Sequence, residues 1–339
     1  MAPQEPVLLV TGGSRGIGAA CARLAGARGF KVGVNYLRDR RAADAVVGAI
    51  RASGGNAVAV QGDMKAEADI ERVLQALERG FGRLTHLVYN SGITGAASRL
   101  EAAKTETLRE VLDLNVLGAL LCARAAVPRI STRHGGAGGA IVLISSAAAT
   151  LGSAGEYVWY AASKGAVESM TVGLARELAA DNVRVNAVAP GLIATEIHVP
   201  GRLERMAPGV PVGRAGSAEE VAEAILFLLA LARNSFHSAR FIPLRSLSAV
   251  YFRKQLWNCI PLIPASLQAS FITWSQNTFP EEYGVRNICE SPMMVSLKTR
   301  DLSPRKPRSV KPVVSRYLRM SCSVLSPKAL RTRTTSHSQ

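Results

Sequence analysis

The sequence predicts an α/β fold built on a doubly wound parallel sheet. Three observations carry that expectation. Short apolar runs alternate with longer helical segments from Val7 onward, the pattern of strand–helix–strand units. A glycine-rich loop, Thr11–Gly18, directly follows the first apolar run. Of the 30 glycines, 29 lie in residues 1–230, so the alternation and its turn chemistry stop together near Leu231.

The elements follow in order. Val7–Val10 is wholly apolar and suits a strand covered on both faces. Ile17–Arg28 reads as a helix closed by Gly29. Lys31–Tyr36 is the second strand, and Arg40–Arg51 a helix closed by Ser53-Gly54-Gly55. Ala57–Val60 is the third strand, followed by a helix over Ala66–Arg79 that ends at Gly80. Leu84–Tyr89 is the fourth strand, and Glu101–Val127 a long helix stopped by Pro128. Ala140–Ile144 and Val183–Val188 are the fifth and sixth strands, with a helix over Tyr157–Ala180 between them. The last helix, Ser217–Leu231, opens with Ser217 as N-cap and Glu220 at the capping-box position. No seventh strand is legible beyond it, so the last strand is expected to be missing or replaced.

Composition narrows the class. With 339 residues and 48% hydrophobic residues, the chain is not disordered, collagen-like or disulfide-stapled. The net charge of +16 is unevenly spread: residues 1–230 hold 24 basic and 21 acidic residues, residues 231–339 hold 17 and 4. The cysteines (Cys21, Cys122, Cys259, Cys289, Cys322) are odd in number and lack CxxC spacing, which reads as reduced thiols and no metal site. Met1–Pro6 has no basic region before an apolar run, and no 18-residue stretch is free of polar groups. No signal peptide and no membrane span are expected, and the location is expected to be cytoplasmic.

Thr11-Gly12-Gly13-Ser14-Arg15-Gly16-Ile17-Gly18 sits between a strand and a helix, the context in which a glycine-rich string means phosphate binding. Glycines let the backbone turn sharply and let a pyrophosphate reach the helix N-terminus. An ordinary tight turn is the alternative. The TGxxxGxG spacing resembles the short-chain dehydrogenase/reductase family, in its single-domain branch, similar to 3-oxoacyl-carrier-protein reductases and glucose 1-dehydrogenase-like members. Further motifs of that family follow in order: Asp63 with Met64 after the third strand, Asn90-Ser91-Gly92 after the fourth, Asn115 on the long helix, Ser145-Ser146 at the end of the fifth, Tyr160-Ala-Ala-Ser-Lys164 as YxxxK, and Pro190-Gly191 with Ile193 and Thr195 as PGxxxT. The resemblance covers residues 7–230 and implies a Rossmann fold and a nicotinamide cofactor.

Tyr160 and Lys164 are four apart and share one helix face. A phenol with a pKa of about 10 is only about 0.1% phenolate at neutral pH. A nearby ammonium favours the phenolate, which brings the group closer to acid/base duty. The resemblance gives Tyr160 the proton transfer, and Lys164 its support and a bond to the nicotinamide ribose. It gives Ser146 a hydrogen bond to the substrate oxygen, with Ser145 as a minor candidate, and Asn115 a water that relays protons toward the lysine. It places Asp63 near the adenine and Thr195 on the carboxamide. Cofactor choice follows from charge. The second strand ends in Asn35-Tyr36 with no acid to bond a ribose 2′-hydroxyl, while Arg15 and Arg38 can pair a 2′-phosphate. NADP(H) is therefore expected over NAD(H). Ile193–Pro211 reads as a substrate lid in which His198 is an exposed histidine.

These readings divide the chain into a dinucleotide-binding domain over 1–230 and a basic tail over 231–339, with Ser303–Pro312 expected to be disordered. The tail reads as a frameshifted or read-through product, a basic arm for nucleic acid, or an accessory segment. The arm lacks aromatic interleaving or a nucleic-acid fold motif, so nucleic acid is an unfavoured partner. The expected activity is hydride transfer between the cofactor and a small carbonyl or secondary alcohol. The alternatives are a non-catalytic NADP(H)-binding protein and a nucleic-acid binder. The resemblance implies a homo-oligomer, which a missing last strand puts in question.

Overall fold

In a computed structural model of the chain, the described residues are 5–230 and the backbone of 241–244. They fall in the first of two compact units, Met1–Asn277; the second, residues 278–339, lies outside them. So do Ser303–Pro312 and its expected disorder.

The elements alternate as the apolar pattern requires. β1 (Val7–Val10) leads through the glycine loop to α1 (Gly16–Ala27), then β2 (Lys31–Tyr36), α2 (Arg40–Ala52), β3 (Asn56–Gln61), α3 (Glu67–Phe81) and β4 (His86–Tyr89). A long helical run follows: α4 (Thr105–Leu112), a π-helical turn at Asp113–Leu117, and α5 (Gly118–Ile130). Then come β5 (Gly139–Ile144), a short α6 (Ala148–Leu151), α7 (Val158–Leu178), β6 (Val183–Pro190), a lid helix α8 (Arg202–Met206), α9 (Ala218–Ala230) and β7 (Phe241–Leu244). All neighbouring strands are parallel, in the order β3-β2-β1-β4-β5-β6-β7. The winding reverses between β1 and β4, where doubly wound sheets open a crevice at the strand C-termini.

Strand period sorts the core into two layers. Leu8 and Val10 of β1, with Ala140, Val142 and Ile144 of β5, face α1, α2 and α9. Val7 and Leu9, with Ile141 and Leu143, face α3, α5 and α7. Ser217 and Glu220 close a reciprocal cap at the start of α9: Ser217 N donates to Glu220 Oε2 at 2.7 Å and Glu220 N to Ser217 Oγ at 3.2 Å.

One expectation is narrowed and one is corrected. The last strand is replaced, not missing: Phe241–Leu244 pairs with Ala187–Pro190 of β6. The segment has no glycine and carries Pro243, so it does not resemble an interior strand, but an edge position tolerates a proline that donates no ladder bond. The sheet thus reaches past residue 230. Pro128 does not stop the long helix, which runs to Ile130. Pro128 falls in the last turn, where Arg83 donates to the carbonyls of Pro128 (2.7 Å) and Arg129 (2.7 Å) and so satisfies the helix end. The run Thr105–Ile130 is also long and apolar enough to cross a membrane by length and composition; its inward residues, such as Val111, Ala119, Cys122, Ala126 and Ile130, are buried in the fold.

Candidate active site

The crevice is assembled from the C-terminal ends of β1, β2, β4, β5 and β6. At the end of β1, the buried Thr11 Oγ1 accepts from the backbone N–H groups of Asn90 (3.0 Å) and Ser91 (3.0 Å). Asn90 Nδ2 returns bonds to the carbonyls of Thr11 (3.1 Å) and Gly12 (3.0 Å), locking the β4 loop to the glycine loop. Asn35 Oδ1 accepts from Gly12 N at 3.2 Å, and its Nδ2 donates to Gly62 O at 3.0 Å. The close packing explains the glycines: a Cβ on Gly18 would lie 2.3 Å from the Gly12 carbonyl oxygen. Gly16 has φ +51° and faces Thr195, whose Cγ2 would be 3.3 Å from a Cβ there. No side chain caps α1 at Arg15. A bare, glycine-walled helix start of this kind fits a dinucleotide pyrophosphate.

The other expected cofactor residues divide. Ser14 and Ile17 are half-buried in the loop, and Arg15 and Arg38 are exposed. Neither guanidinium makes an ion pair among the described residues. Asn35 and Tyr36 are buried, and the Asn35 carboxamide is spent on backbone, so Asn35 shapes the cradle from behind. Asp63 Oδ1 accepts from Lys65 N at 2.9 Å, and Met64 is buried beside it. Pro190 O accepts from Ala147 N at 2.8 Å, Gly191 follows it at the crevice, and the buried Ile193 bridges to Gly216.

Around Tyr160 the chain brings together what the motif promised. Ser146, at the end of β5, accepts from Ala148 N at 3.1 Å. Ser145 points elsewhere, donating to Lys164 O at 3.2 Å and Glu168 Oε1 at 3.1 Å. Lys164 Nζ lies 5.6 Å from the Tyr160 ring centroid and donates to Ile144 O at 2.7 Å. Burial lowers Lys164 to about 8. It raises Tyr160 above its ordinary value, opposed by the Ser146 hydrogen bond and then by the charge of Arg202. The lysine ammonium is thus near the Tyr160 ring while it donates to a backbone carbonyl of β5. Asn115 sits in the π-helical turn, a feature that recurs at functional sites. Its Nδ2 donates to Ile93 O (2.9 Å) and Ser163 Oγ (3.0 Å), and its Oδ1 accepts from Ile93 N (2.9 Å). It thereby fixes the loop in which a Cβ on Gly92 would stand 3.4 Å from Lys164 Nζ.

The family model described as short chain dehydrogenase matches residues 6–205. The chain is a member of the short-chain dehydrogenase family. The uncharacterized oxidoreductase YgfF of Escherichia coli (strain K12) is 45% identical over 242 residues, 70% of this chain and 98% of that one. A 3-oxoacyl-[acyl-carrier-protein] reductase of Synechocystis sp. is 41% identical over 222 residues, 66% of this chain and 88% of that one. A crystal structure of a short chain dehydrogenase from Burkholderia cenocepacia, in complex with NADP, is 31% identical and superposes with a TM-score of 0.65 over 71% of this chain and 97% of that one. The match to YgfF is too long to fit inside residues 1–230, so the likeness does not stop at Leu231 as the composition suggested.

What sequence reading missed in this short-chain dehydrogenase is a clasp in the lid. Arg202 Nη2 donates to Glu156 Oε2 at 2.6 Å and Nη1 to His198 Nδ1 at 3.1 Å, while its Cζ stacks 5.6 Å from the Tyr157 ring centroid. Arg205 reaches the other carboxylate oxygen of Glu156 at 3.3 Å. Arg202 holds the Glu156 carboxyl below its ordinary range, and burial together with Arg202 lowers His198. His198 is thus half-buried and engaged, not an exposed lid histidine. These partners lie 46 and 4 positions apart without a motif, and only the folded lid brings them together.

Proposed function

We propose that this short-chain dehydrogenase is an NADP(H)-dependent oxidoreductase that interconverts a carbonyl and a secondary alcohol. The observation that carries the reading is the Tyr160 ring with Lys164 Nζ 5.6 Å from its centroid, and Ser146 acting to ease ionisation of its hydroxyl. When bound, the nicotinamide supplies or accepts the hydride. In reduction, Tyr160 gives its phenolic proton to the carbonyl oxygen, and Ser146 donates a hydrogen bond to the same oxygen as charge develops. In oxidation, Tyr160 takes that proton back. Lys164 is read as the partner of the cofactor ribose and of the tyrosine. Asn115 holds the Gly92 loop beside it, and Thr195 closes the cradle over Gly16. Arg15 and Arg38 are assigned to a 2′-phosphate, since their exposed guanidiniums can make charge-assisted bonds.

The test is NADPH oxidation against a panel of aldehydes, ketones and quinones, with Tyr160→Phe as control. Turnover lost in that variant supports the assignment, and a tenfold or greater preference for NADH would overturn the cofactor choice. NADPH binding without turnover on any substrate would mark a non-catalytic binding protein. The division into a 1–230 domain and a separate tail is tested by truncation: a chain ending at 230 loses β7, one ending at 250 keeps it. A cytoplasmic location is checked by fractionation. A homo-oligomer is supported by Leu112, Leu117 and Leu120, which leave 45%, 47% and 45% of their surface exposed on the long helical run, and sedimentation measures it.

A further inference from the structure

The start of α7 is held from outside the helix. No side chain caps it at Tyr157. A helix end without a cap leaves its first N–H groups unpaired and frays, and Tyr160 stands in that first turn. Two ties to the loop after β4 take the place of a cap. The buried Trp159 donates from Nε1 to Thr94 O at 2.8 Å. On the other side of the tyrosine, Ser163 Oγ donates to Tyr160 O at 2.7 Å and accepts from Asn115 Nδ2 at 3.0 Å. Asn115 in turn bonds both Ile93 N and Ile93 O at 2.9 Å. The ties thus bracket Tyr160 and reach adjacent residues of one loop. A buried indole N–H needs an acceptor, and the loop is shaped to present one. Gly95, next to the accepting carbonyl, has φ +74°, and a Cβ there would lie 2.5 Å from Thr107 Cγ2 and 3.4 Å from Trp159 Nε1. The Tyr157 ring meets Trp159 edge-on, with centroids 6.4 Å apart. Both cluster with Val111, and Ile93, Leu108 and Tyr160 pack against them.

We propose that Trp159 is a positioning residue for Tyr160: its indole N–H, bonded to the Thr94 carbonyl, fixes the first turn of α7 against the loop after β4. The inference rests on the reading of Tyr160 as the acid/base group. A proton donor must reach the reacting oxygen at hydrogen-bond distance, and misplacement by about 1 Å can cost about 10²-fold in rate. The loop that accepts the indole bond begins with Asn90-Ser91-Gly92, and Thr11 grips its backbone from the glycine cradle. Trp159 therefore ties the tyrosine to the wall of the cradle across 65 positions of sequence. Ser163 and Asn115 hold the carbonyl side of Tyr160, so loss of the indole bond loosens its N-terminal side and leaves Lys164 seated on Ile144 O. A peg that serves stability alone predicts an unchanged turnover per folded molecule. A positioning peg predicts a lower kcat with cofactor affinity kept.

The experiment compares the full-length wild type with Trp159→Phe and with two isosteres introduced by codon suppression. Trp159→benzothienylalanine keeps the shape and replaces the N–H by sulfur; Trp159→fluorotryptophan keeps the N–H. Turnover is read with NADPH and the compound of the aldehyde, ketone and quinone panel that the wild type reduces fastest. In the Phe and benzothienyl variants kcat should fall about tenfold or more, with KM for NADPH within about twofold of wild type. The fluorotryptophan variant should match the wild type. In the protein without cofactor, amide hydrogen exchange over residues 93–97 and 157–161 should quicken in the two variants that lack the N–H. If Trp159→Phe fails to fold, the benzothienyl isostere still decides the matter. A benzothienyl variant with wild-type kcat, one whose KM for NADPH rises as far as its kcat falls, or unchanged exchange over 157–161 overturns the proposal. Turnover surviving in Tyr160→Phe would instead overturn the acid/base reading, and the exchange result, read without substrate, keeps the two failures apart.

Discussion

The glycine cradle and the lid are built by different physics. The cradle is backbone against backbone: Gly18 passes so close to Gly12 that no side chain fits, and Thr11, Asn35 and Asn90 spend their polar groups holding main chain. The lid is side chain against side chain, with Arg202, Glu156, His198 and Arg205 meeting across loops. A backbone clash punishes nearly every substitution, whereas a charge cluster can be exchanged for another of similar geometry. The first design should therefore fail by losing fold and cofactor together, the second by changing kinetics while the fold persists.

The largest expected effect falls between the two regions. Tyr160→Phe should lower kcat by about 10³-fold while NADPH affinity, measured by fluorescence, stays unchanged. A variant that lost affinity equally would tie the tyrosine to the cradle and not to the chemistry. Next is Lys164. Burial lowers it to about 8, whereas an unfolded lysine titrates near 10.4. Between those values the unfolded chain binds more protons, so this group makes stability rise with pH through that window. Urea unfolding at pH 7 and pH 10 should show a rise of up to roughly 3 kcal/mol that Lys164→Met abolishes.

Gly18→Ala attacks the cradle directly. It should cost about 1–3 kcal/mol by calorimetry and weaken NADPH binding in parallel. Intact cofactor binding in a destabilised variant would show that the close approach serves the fold alone. The smallest of these effects is at the cradle rim, where side chains take over from backbone. Arg38→Ala should raise the KM for NADPH about tenfold and leave that for NADH nearly unchanged, since a charge-assisted pair is worth roughly 1.5–3 kcal/mol. Equal effects on both cofactors would remove the 2′-phosphate assignment.

Legibility follows the same division. The apolar run Val7–Val10 and the loop to Gly18 were readable because steric limits act within a few neighbouring residues. Tyr160 and Lys164 were readable because helix geometry fixes a four-residue spacing on one face. The direction of Lys164 was not, because its partner is the carbonyl of Ile144 on another strand. Asn35 looked like a strand end open to the cofactor, yet it turns inward to bond Gly12 and Gly62. Phe241–Leu244 escaped notice because a four-residue edge strand containing proline has almost no period to read.

By itself the sequence determined the alternation of strands and helices, the bare helix start after β1, and the set of groups gathered at the strand ends. These depend on short-range sterics and on repeat spacing, which any chain with these residues must obey. The tertiary structure alone decided which partners clasp Arg202 and which strand pairs with the outer edge of β6. Both depend on contacts between segments far apart in the chain, where Coulomb attraction and backbone pairing act only after folding has brought the partners within reach.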